Sequence, residues 1–142
     1  MQRANRGPLW GGALDERVAY FGLNGGGVAA LEMSDGKRLW YTPLNSTEAH
    51  RVTHGAAVTL IPGVLFVGGS DGTLWALATE DGHSLWSFDT AKPFTTVNRV
   101  AAHGGSMSAP GATVVGGMVF VGSGYGVIGA TPGNVLLAFA VQ

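Results

Sequence analysis

Short apolar runs, rich in β-branched and aromatic residues, recur along the chain and are separated by polar dipeptides that contain glycine. Runs of this length and composition are typical of β-strands. The dipeptides suit tight hairpins, because glycine adopts the positive φ that such turns need. The middle of the chain therefore predicts a four-stranded antiparallel meander, with strands at residues 56–60, 64–69, 73–79 and 84–89 and turns at 62–63, 71–72 and 81–82.

The meander is repeated along the chain. Residues 30–40 match residues 76–86 at an offset of 46 residues, and the two segments end in Trp40 and Trp86. A third copy reaches its third strand at residues 135–139 and shows no fourth strand. A period of this length indicates a repeat architecture.

Repeated four-stranded meanders are the blades of a β-propeller, which has roughly four to eight of them. We therefore expect an all-β fold, a partial propeller of about three four-stranded antiparallel blades with the last blade incomplete. The blades are predicted at residues 7–44, 55–90 and 104–142, within one domain spanning residues 1–142. Three units are too few for the usual ring, so the pattern favours a fragment, and several copies closing a ring remain the alternative.

Trp40 and Trp86 occupy the same place in their units, four residues after Gly36 and Gly82 of an Asp-Gly turn. Burying one tryptophan removes roughly 150–250 Å² of surface from water. Because the positions recur in register, we predict that the two indoles and the two glycines dock neighbouring blades. A stacking platform for a ligand is the less favoured alternative.

The longest connections all emerge at the same end of the predicted sheets, because alternate connections of a meander share one end. The turns at the opposite end are dipeptides. Elaborated loops on one rim of a rigid scaffold usually carry binding function. These loops cover residues 41–55, 90–111 and 124–133. Their polar residues could serve an anionic ligand, although loops are polar in general: His50, Arg51, His54, Lys92, Asn98, Arg99 and His103.

Composition narrows the possible chemistry and partners. The absence of cysteine excludes disulfides, thiolate metal ligands and cysteine nucleophiles. A formal net charge of −1 provides no electrostatic attraction to the phosphates of nucleic acid. No apolar run is long enough to span a bilayer. We therefore expect neither a nucleic-acid partner nor a membrane partner. The basic first residues lack an apolar segment behind them, so no export signal is expected in this chain.

Three short motifs lack the sequence context that their usual function requires. Residues 124–129 fit the G-x-G-x-x-G pattern, but the Thr-Pro-Gly that follows breaks the helix that a dinucleotide fingerprint requires. His50 and His54 have helical spacing in a segment whose composition favours a loop, so a zinc site is not expected. Ser106 and Ser108 lack the G-x-S-x-G spacing of a nucleophile elbow. The sequence thus assigns no metal ligand and no catalytic residue.

Residues 30–40 and 76–86 resemble the tryptophan-docking motif of propeller repeats of the pyrroloquinoline quinone (PQQ) type, with alanine, an Asp-Gly or Thr-Gly turn and a terminal tryptophan. The repeat motif is specific for the fold rather than for a function. Nearly the whole chain also resembles the carboxyl-terminal blades of polyvinyl alcohol dehydrogenases. The segments that carry this resemblance are residues 9–13, 57–64, 88–90, 96–98, 104–106, 123–126 and 132–139.

The resemblance implies a periplasmic quinoprotein that oxidises alcohol groups, holds PQQ and calcium over the propeller axis and passes electrons to a cytochrome c. PQQ carries three carboxylates and needs cationic and hydrogen-bonding partners. Thr96, Asn98 and Arg99 in a rim loop are the candidate cofactor-binding residues.

The chain also departs from the family pattern. It has no Cys-x-x-Cys-His haem motif, no recognisable calcium ligand set and no recognisable catalytic aspartate. We expect the remaining propeller blades to supply these groups, and the fragment alone to bind no cofactor firmly and to be inactive. A cofactor-free propeller that binds proteins as a scaffold is the alternative function.

Overall fold

The computed structural model describes residues 7–125 and 129–140. Every regular element in these residues is a β-strand, which confirms the predicted all-β class. The strands form antiparallel sheets of two to four members. No helix in the described part of the chain is long and apolar enough to cross a membrane.

The first two repeats each form a four-stranded meander. Unit 1 consists of β1 (Ala13–Leu14), β2 (Val18–Gly22), β3 (Val28–Glu32) and β4 (Arg38–Thr42). Unit 2 consists of β5 (Thr59–Ile61), β6 (Val64–Gly68), β7 (Thr73–Ala78) and β8 (Ser84–Asp89). The register between third and fourth strands shifts after Ala30 in unit 1 and after Ala76 in unit 2, at equivalent positions. The two sheets therefore share the same register shift at equivalent positions.

Two further sheets follow unit 2. A hairpin that the sequence did not predict lies in the connection to the third repeat, and it pairs β9 (Pro93–Thr95) with β10 (Ala101–His103). Unit 3 consists of β11 (Thr113–Val115), β12 (Met118–Ser123) and β13 (Val135–Ala140). Within the described residues, β13 has a partner strand on one side only.

The first strand of unit 2 begins later than predicted, at Thr59 instead of residue 56. The residues before it form hydrogen bonds to other units rather than to their own sheet. The N–H of Ala57 donates to Ala109 O at 3.1 Å, and the N–H of Val58 donates to Gly11 O at 3.4 Å. This segment therefore joins the units to one another.

The apolar core lies between the units. The larger cluster joins units 1 and 2 and contains Tyr20, Val28, Ala30, Leu44, Val58, Leu65, Val67 and Leu77. The smaller cluster joins units 2 and 3 and contains Leu74, Met107 and Val121. Unit 2 thus buries both faces of its sheet.

The first strands of the three units are neighbours, since β5 contacts both β1 and β11. The fourth strands, β4 and β8, lie at the opposite margins of their sheets. The sheets therefore spread from a shared inner edge. The second-to-third-strand connections and the connections between units emerge at one end of this arrangement, where the candidate site lies.

Candidate functional site

A cavity of about 390 Å³ lies where connections of all three units meet. Its lining combines residues just before the inner strands with residues of the second-to-third-strand connections. None of the lining residues carries a charge. They are Leu9, Asn24, Thr53, Gly55, Ser70, Ser106, Ser108, Gly129, Ala130 and Thr131.

Hydroxyl groups of the cavity wall tie the connections together. Ser106 Oγ donates to Ser70 O at 2.6 Å and accepts from the N–H of Thr131 at 2.9 Å, while Ser70 Oγ accepts from the N–H of Thr53 at 2.9 Å. In contrast, the hydroxyls of Thr53, Ser108 and Thr131 form no hydrogen bond to a described residue. Ser108 is nevertheless only 8% exposed. These three hydroxyls are not among the buried side-chain atoms that lack a partner in the described residues, which are His54 Nε2 and Trp75 Nε1, so they remain accessible from the cavity.

A second hydroxyl cluster joins units 2 and 3 in the interior. Thr90 Oγ1 lies 2.6 Å from both Gly72 O and Ser123 Oγ. Ser123 Oγ also accepts from the N–H of Gly105 at 2.9 Å. Thr90 and Ser123 are completely buried. These contacts satisfy the polar groups of the loops that support the cavity.

His54 fills the corresponding junction between units 1 and 2 and is completely buried. Its Nδ1 accepts from the N–H of Gly27 at 2.9 Å, which places the ring proton of the neutral form on Nε2. Nε2 is buried and has no partner in the described residues. Burial lowers the pKa of His54 to about 4, and the negative charge of Asp71 opposes this shift only in part.

Met107 takes the place of His54 at the junction between units 2 and 3. The N–H of His54 donates to Leu23 O at 3.0 Å, and the N–H of Met107 donates at 3.0 Å to the O atom of Gly69, which lies 46 residues after Leu23. An ionisable side chain thus occupies a site that an apolar one fills elsewhere. Because the pKa of His54 is lower in the folded state than its ordinary 6.5, its contribution to stability is complete above pH 6.5 and is lost as the pH falls toward 4.

Trp40 lies against the next unit. Its Nε1–H donates to Thr79 O at 3.0 Å, and Thr42 Oγ1 donates to Gly82 O at 2.8 Å. A Cβ added to Gly82 would lie 2.5 Å from Cε3 of Trp40, and Gly82 has a φ of +75°. Both the contact and the backbone conformation therefore require glycine there.

The equivalent residues at the other positions have different surroundings. Gly36 has a φ of +72°, but a Cβ added there would meet no atom within 4 Å. Trp86 is 38% exposed, stacks on Phe88 with ring centroids 5.9 Å apart and meets Phe139 edge-on at 5.1 Å. Its indole N–H forms no hydrogen bond to a described residue. Only Trp40, of the two recurring indoles, combines ring packing with a hydrogen bond.

The three predicted cofactor-binding residues lie at the tip of the β9–β10 hairpin. Thr96 Oγ1 lies 2.6 Å from both Asn98 Oδ1 and Val100 O. Arg99 has a φ of +61°, and its backbone N–H donates to Thr96 O at 3.0 Å. None of the three lines the cavity. The side chains of Thr96 and Asn98 shape the turn, whereas the Arg99 guanidinium has no ion pair among the described residues.

The other basic residues of the rim loops also lie outside the cavity wall. Lys92 Nζ lies 4.3 Å from the centroid of the Phe88 ring, and His50, Arg51 and His103 are exposed. The described part of the chain contains no group of three or more His, Asp or Glu residues that could hold a metal ion. Residues 126–128 of the glycine motif lie outside the described residues, and the next regular element is β13.

Comparison with solved structures defines the class of fold. The chain resembles a quinohemoprotein alcohol dehydrogenase from Pseudomonas putida HK5 with a TM-score of 0.65 and 15% identity, over 91% of this chain and 26% of that one. An identity this low concerns the fold alone. Together with sheets that spread from a shared inner edge, the likeness identifies the protein as a partial β-propeller with an incomplete third blade, as predicted.

The sequence also identifies the family. The model of the family described as outer membrane protein assembly factor BamB, a PQQ-type repeat family, matches residues 2–136, and the chain belongs to this family. The chain is 39% identical to a polyvinylalcohol dehydrogenase from Pseudomonas sp., over its whole length and 27% of that relative. It is 36% identical to a polyvinylalcohol dehydrogenase from Sphingopyxis sp. (strain 113P3), over 82% of this chain and 20% of that relative. The chain therefore spans about a quarter, or less, of the length of these relatives.

Proposed function

We propose that this chain forms three consecutive blades of a PQQ-dependent, alcohol dehydrogenase-like propeller. In the full assembly, alcohol groups are oxidised in the periplasm and electrons pass to a cytochrome c. The identity of 39% to a polyvinylalcohol dehydrogenase along the whole chain carries this proposal. The gathering of the long connections around one cavity supports it. The remaining blades of the propeller are the partners that the proposal requires.

Blade docking is the structural part of the proposal. Trp40 docks unit 1 on unit 2, supported by its hydrogen bond to Thr79 O and its contact with Gly82. The open space around Gly36 corresponds to the space that Trp40 fills at Gly82, and an indole of a preceding blade would occupy it. Trp86 performs the same role toward unit 3, where it packs on Phe139.

PQQ and calcium belong to the whole protein in this proposal, and the remaining blades supply part of the site for each. The cavity wall has no charged residue to balance the three carboxylates of PQQ, and burying carboxylates without a cation is costly. The described residues also lack a metal-ligand cluster. Arg99, with Thr96 and Asn98 beside it, is the cationic rim residue that we propose for the cofactor site.

A chimera tests the proposal. This chain replaces the matching segment of the Pseudomonas sp. polyvinylalcohol dehydrogenase, and PQQ content and alcohol-dependent reduction of cytochrome c are measured with calcium present. We expect activity within about tenfold of the parent, which corresponds to roughly 1.4 kcal/mol in the barrier. The parent with the segment deleted serves as the negative control. A folded chimera that binds no PQQ, or that binds PQQ without oxidising alcohols, would overturn the proposal.

Arg99 offers a separate test within the chimera. Replacing it by glutamine removes the positive charge and keeps a polar side chain, so PQQ should bind more weakly if Arg99 faces a carboxylate. Lys37→Gln, in the turn before β4 at the opposite end of unit 1, is the matched control. Equal PQQ affinity in the two variants would remove Arg99 from the cofactor site.

A cofactor-free scaffold is the second candidate function. The description of the matched family as an assembly factor favours it, and so does the outer side of β13, which has no partner strand in the described residues. Leu136 on this strand is 71% exposed. A stable protein complex that Leu136→Lys abolishes, together with a folded but inactive chimera, would favour the scaffold.

A further inference from the structure

A short segment that lines the cavity is anchored to unit 1 through His54. The segment covers residues 52–55, and its Thr53 belongs to the cavity wall. The backbone N–H of His54 donates to Leu23 O at 3.0 Å, and the ring Nδ1 of His54 accepts from the N–H of Gly27 at 2.9 Å. Both bonds reach the connection between β2 and β3, so His54 fixes the segment to that connection.

A different pair of bonds ties the same segment to unit 2. The N–H of Thr53 donates to Ser70 Oγ at 2.9 Å, and the N–H of Ser70 donates to Thr53 O at 2.9 Å. Neither bond involves an ionisable group. The segment therefore bridges two units, and its attachment to the β2–β3 connection runs through an imidazole.

The bond from Gly27 to the ring requires the neutral form of His54. An imidazole nitrogen accepts a hydrogen bond through its lone pair, whereas both nitrogens of an imidazolium carry protons. Protonation would place Nδ1–H against the N–H of Gly27, so two donors would face each other in a completely buried site. Burial also removes the hydration that a charged ring needs. The observed arrangement is therefore incompatible with a protonated ring.

Asp71 offers the charged ring another partner on unit 2. It lies on the connection between β6 and β7, and its negative charge acts on His54. A Cβ added to Gly69 would lie 3.3 Å from His54 Nε2 and 2.5 Å from Asp71 Oδ1. The two groups thus flank a glycine that places no side chain between them. Nε2 has no partner in the described residues, so it is available to donate to the carboxylate.

The other ionisable groups around the segment are bonded elsewhere or exposed. Tyr41, on β4, donates through its hydroxyl to Gly26 O at 3.2 Å. His50 and Arg51 precede the segment and are exposed. Asp71 is therefore the anionic partner for a charged His54 ring.

We propose that His54 is a pH-sensitive anchor of the cavity wall. The neutral ring holds residues 52–55 on the β2–β3 connection, and the protonated ring leaves Gly27 and pairs with Asp71. The segment then stays on unit 2 through Thr53 and separates from unit 1, so the cavity loosens on the side that Asn24 lines. This inference concerns access to the cavity and does not rest on PQQ chemistry.

Hydrogen exchange of the whole native chain, followed by NMR for each amide, tests the anchor. After correction for the pH dependence of the intrinsic exchange rate, the protection factor of the Gly27 amide should fall in acid. The pKa of His54 is about 4 in the closed segment and at least its ordinary 6.5 after release, so the fall between pH 7.5 and pH 5 should be about 30-fold or more. The amide of Met107, which donates to Gly69 O at the equivalent junction without an ionisable side chain, should keep its protection.

Two variants separate the roles of the ring and the carboxylate. His54→Asn is the matched control, because its Oδ1 can accept from Gly27 in the place of Nδ1 and does not titrate, so its Gly27 protection should be equal at the two pH values. Asp71→Asn keeps an acceptor for the N–H of Thr73 and removes the charge, so Gly27 should keep more of its protection at pH 5.

Three results would overturn the inference. Gly27 protection in the wild type that is equal at pH 7.5 and pH 5 would exclude release in acid. An equal loss of protection at Gly27 and Met107 would show global unfolding instead of local release. A larger loss at pH 5 in Asp71→Asn than in the wild type would show that Asp71 stabilises the charged ring before release and not after it.

Discussion

Replacing Trp40 by alanine should destabilise the protein far more than the same change at Trp86. The Trp40 ring packs against Tyr20, with ring centroids 6.0 Å apart, and its N–H donates to Thr79 O. Removing it opens a cavity and leaves that carbonyl without its donor. A fully buried tryptophan costs about 3–5 kcal/mol on truncation, so we expect about 3 kcal/mol for the partly exposed Trp40. Trp86 is 38% exposed and has no such hydrogen bond, so we expect Trp86→Ala to lower the free energy of unfolding by about 1–2 kcal/mol.

The assay is urea unfolding followed by far-ultraviolet circular dichroism, because removing an indole changes the fluorescence signal itself. Comparison of midpoints at an unchanged m value gives the difference in the free energy of unfolding. Trp40→Phe separates ring packing from the hydrogen bond, and should cost about 1 kcal/mol through the lost N–H. A cost for Trp86→Ala equal to or above that for Trp40→Ala would refute the reasoning.

Three further predictions concern the junctions between units. Gly82→Ala should lower the free energy of unfolding by about 2–4 kcal/mol, because the added Cβ clashes with Trp40 and the backbone is left-handed. Gly36→Ala carries only the left-handed strain of about 1 kcal/mol. Equal urea midpoints for the two variants would contradict this. Between pH 7 and pH 4 the wild type should lose about 3 kcal/mol more than His54→Met, because the pKa of His54 is 6.5 unfolded and about 4 folded. Parallel stability profiles of the two proteins over that pH range would exclude this role of His54. Ser123→Ala should cost about 1–3 kcal/mol by leaving the buried N–H of Gly105 without its acceptor, which thermal unfolding would detect, and an unchanged melting temperature would count against it.

The sequence was sufficient to predict most strands of the two full units. The strands β6, β7 and β8 correspond to the predicted runs. Each is an apolar segment next to a tight turn, and the turns at residues 71–72 and 81–82 are marked by an Asp-Gly dipeptide. Gly72 and Gly82 adopt the expected positive φ values of +83° and +75°. The sequence does not predict the β9–β10 hairpin because its three-residue strands are largely exposed and lack an apolar run, and because β9 begins at a proline.

The cavity could not be predicted from the sequence, because its wall is assembled from separate units. Thr53, Ser70 and Ser108 belong to different connections, and nothing in their local sequence indicates that they meet. The sequence around Ser108 lacks the spacing of a nucleophile elbow and gives no other indication of a site. Sequence patterns instead draw attention to charged loop residues such as Arg99, which the structure places at a hairpin tip outside the cavity wall.

The most direct test of the account is electron transfer by the chimera that carries this chain within the polyvinylalcohol dehydrogenase of Pseudomonas sp. The account predicts one bound PQQ per folded molecule and reduction of cytochrome c only when an alcohol is added. A folded chimera whose PQQ stays bound while added alcohol transfers no electrons would contradict the account.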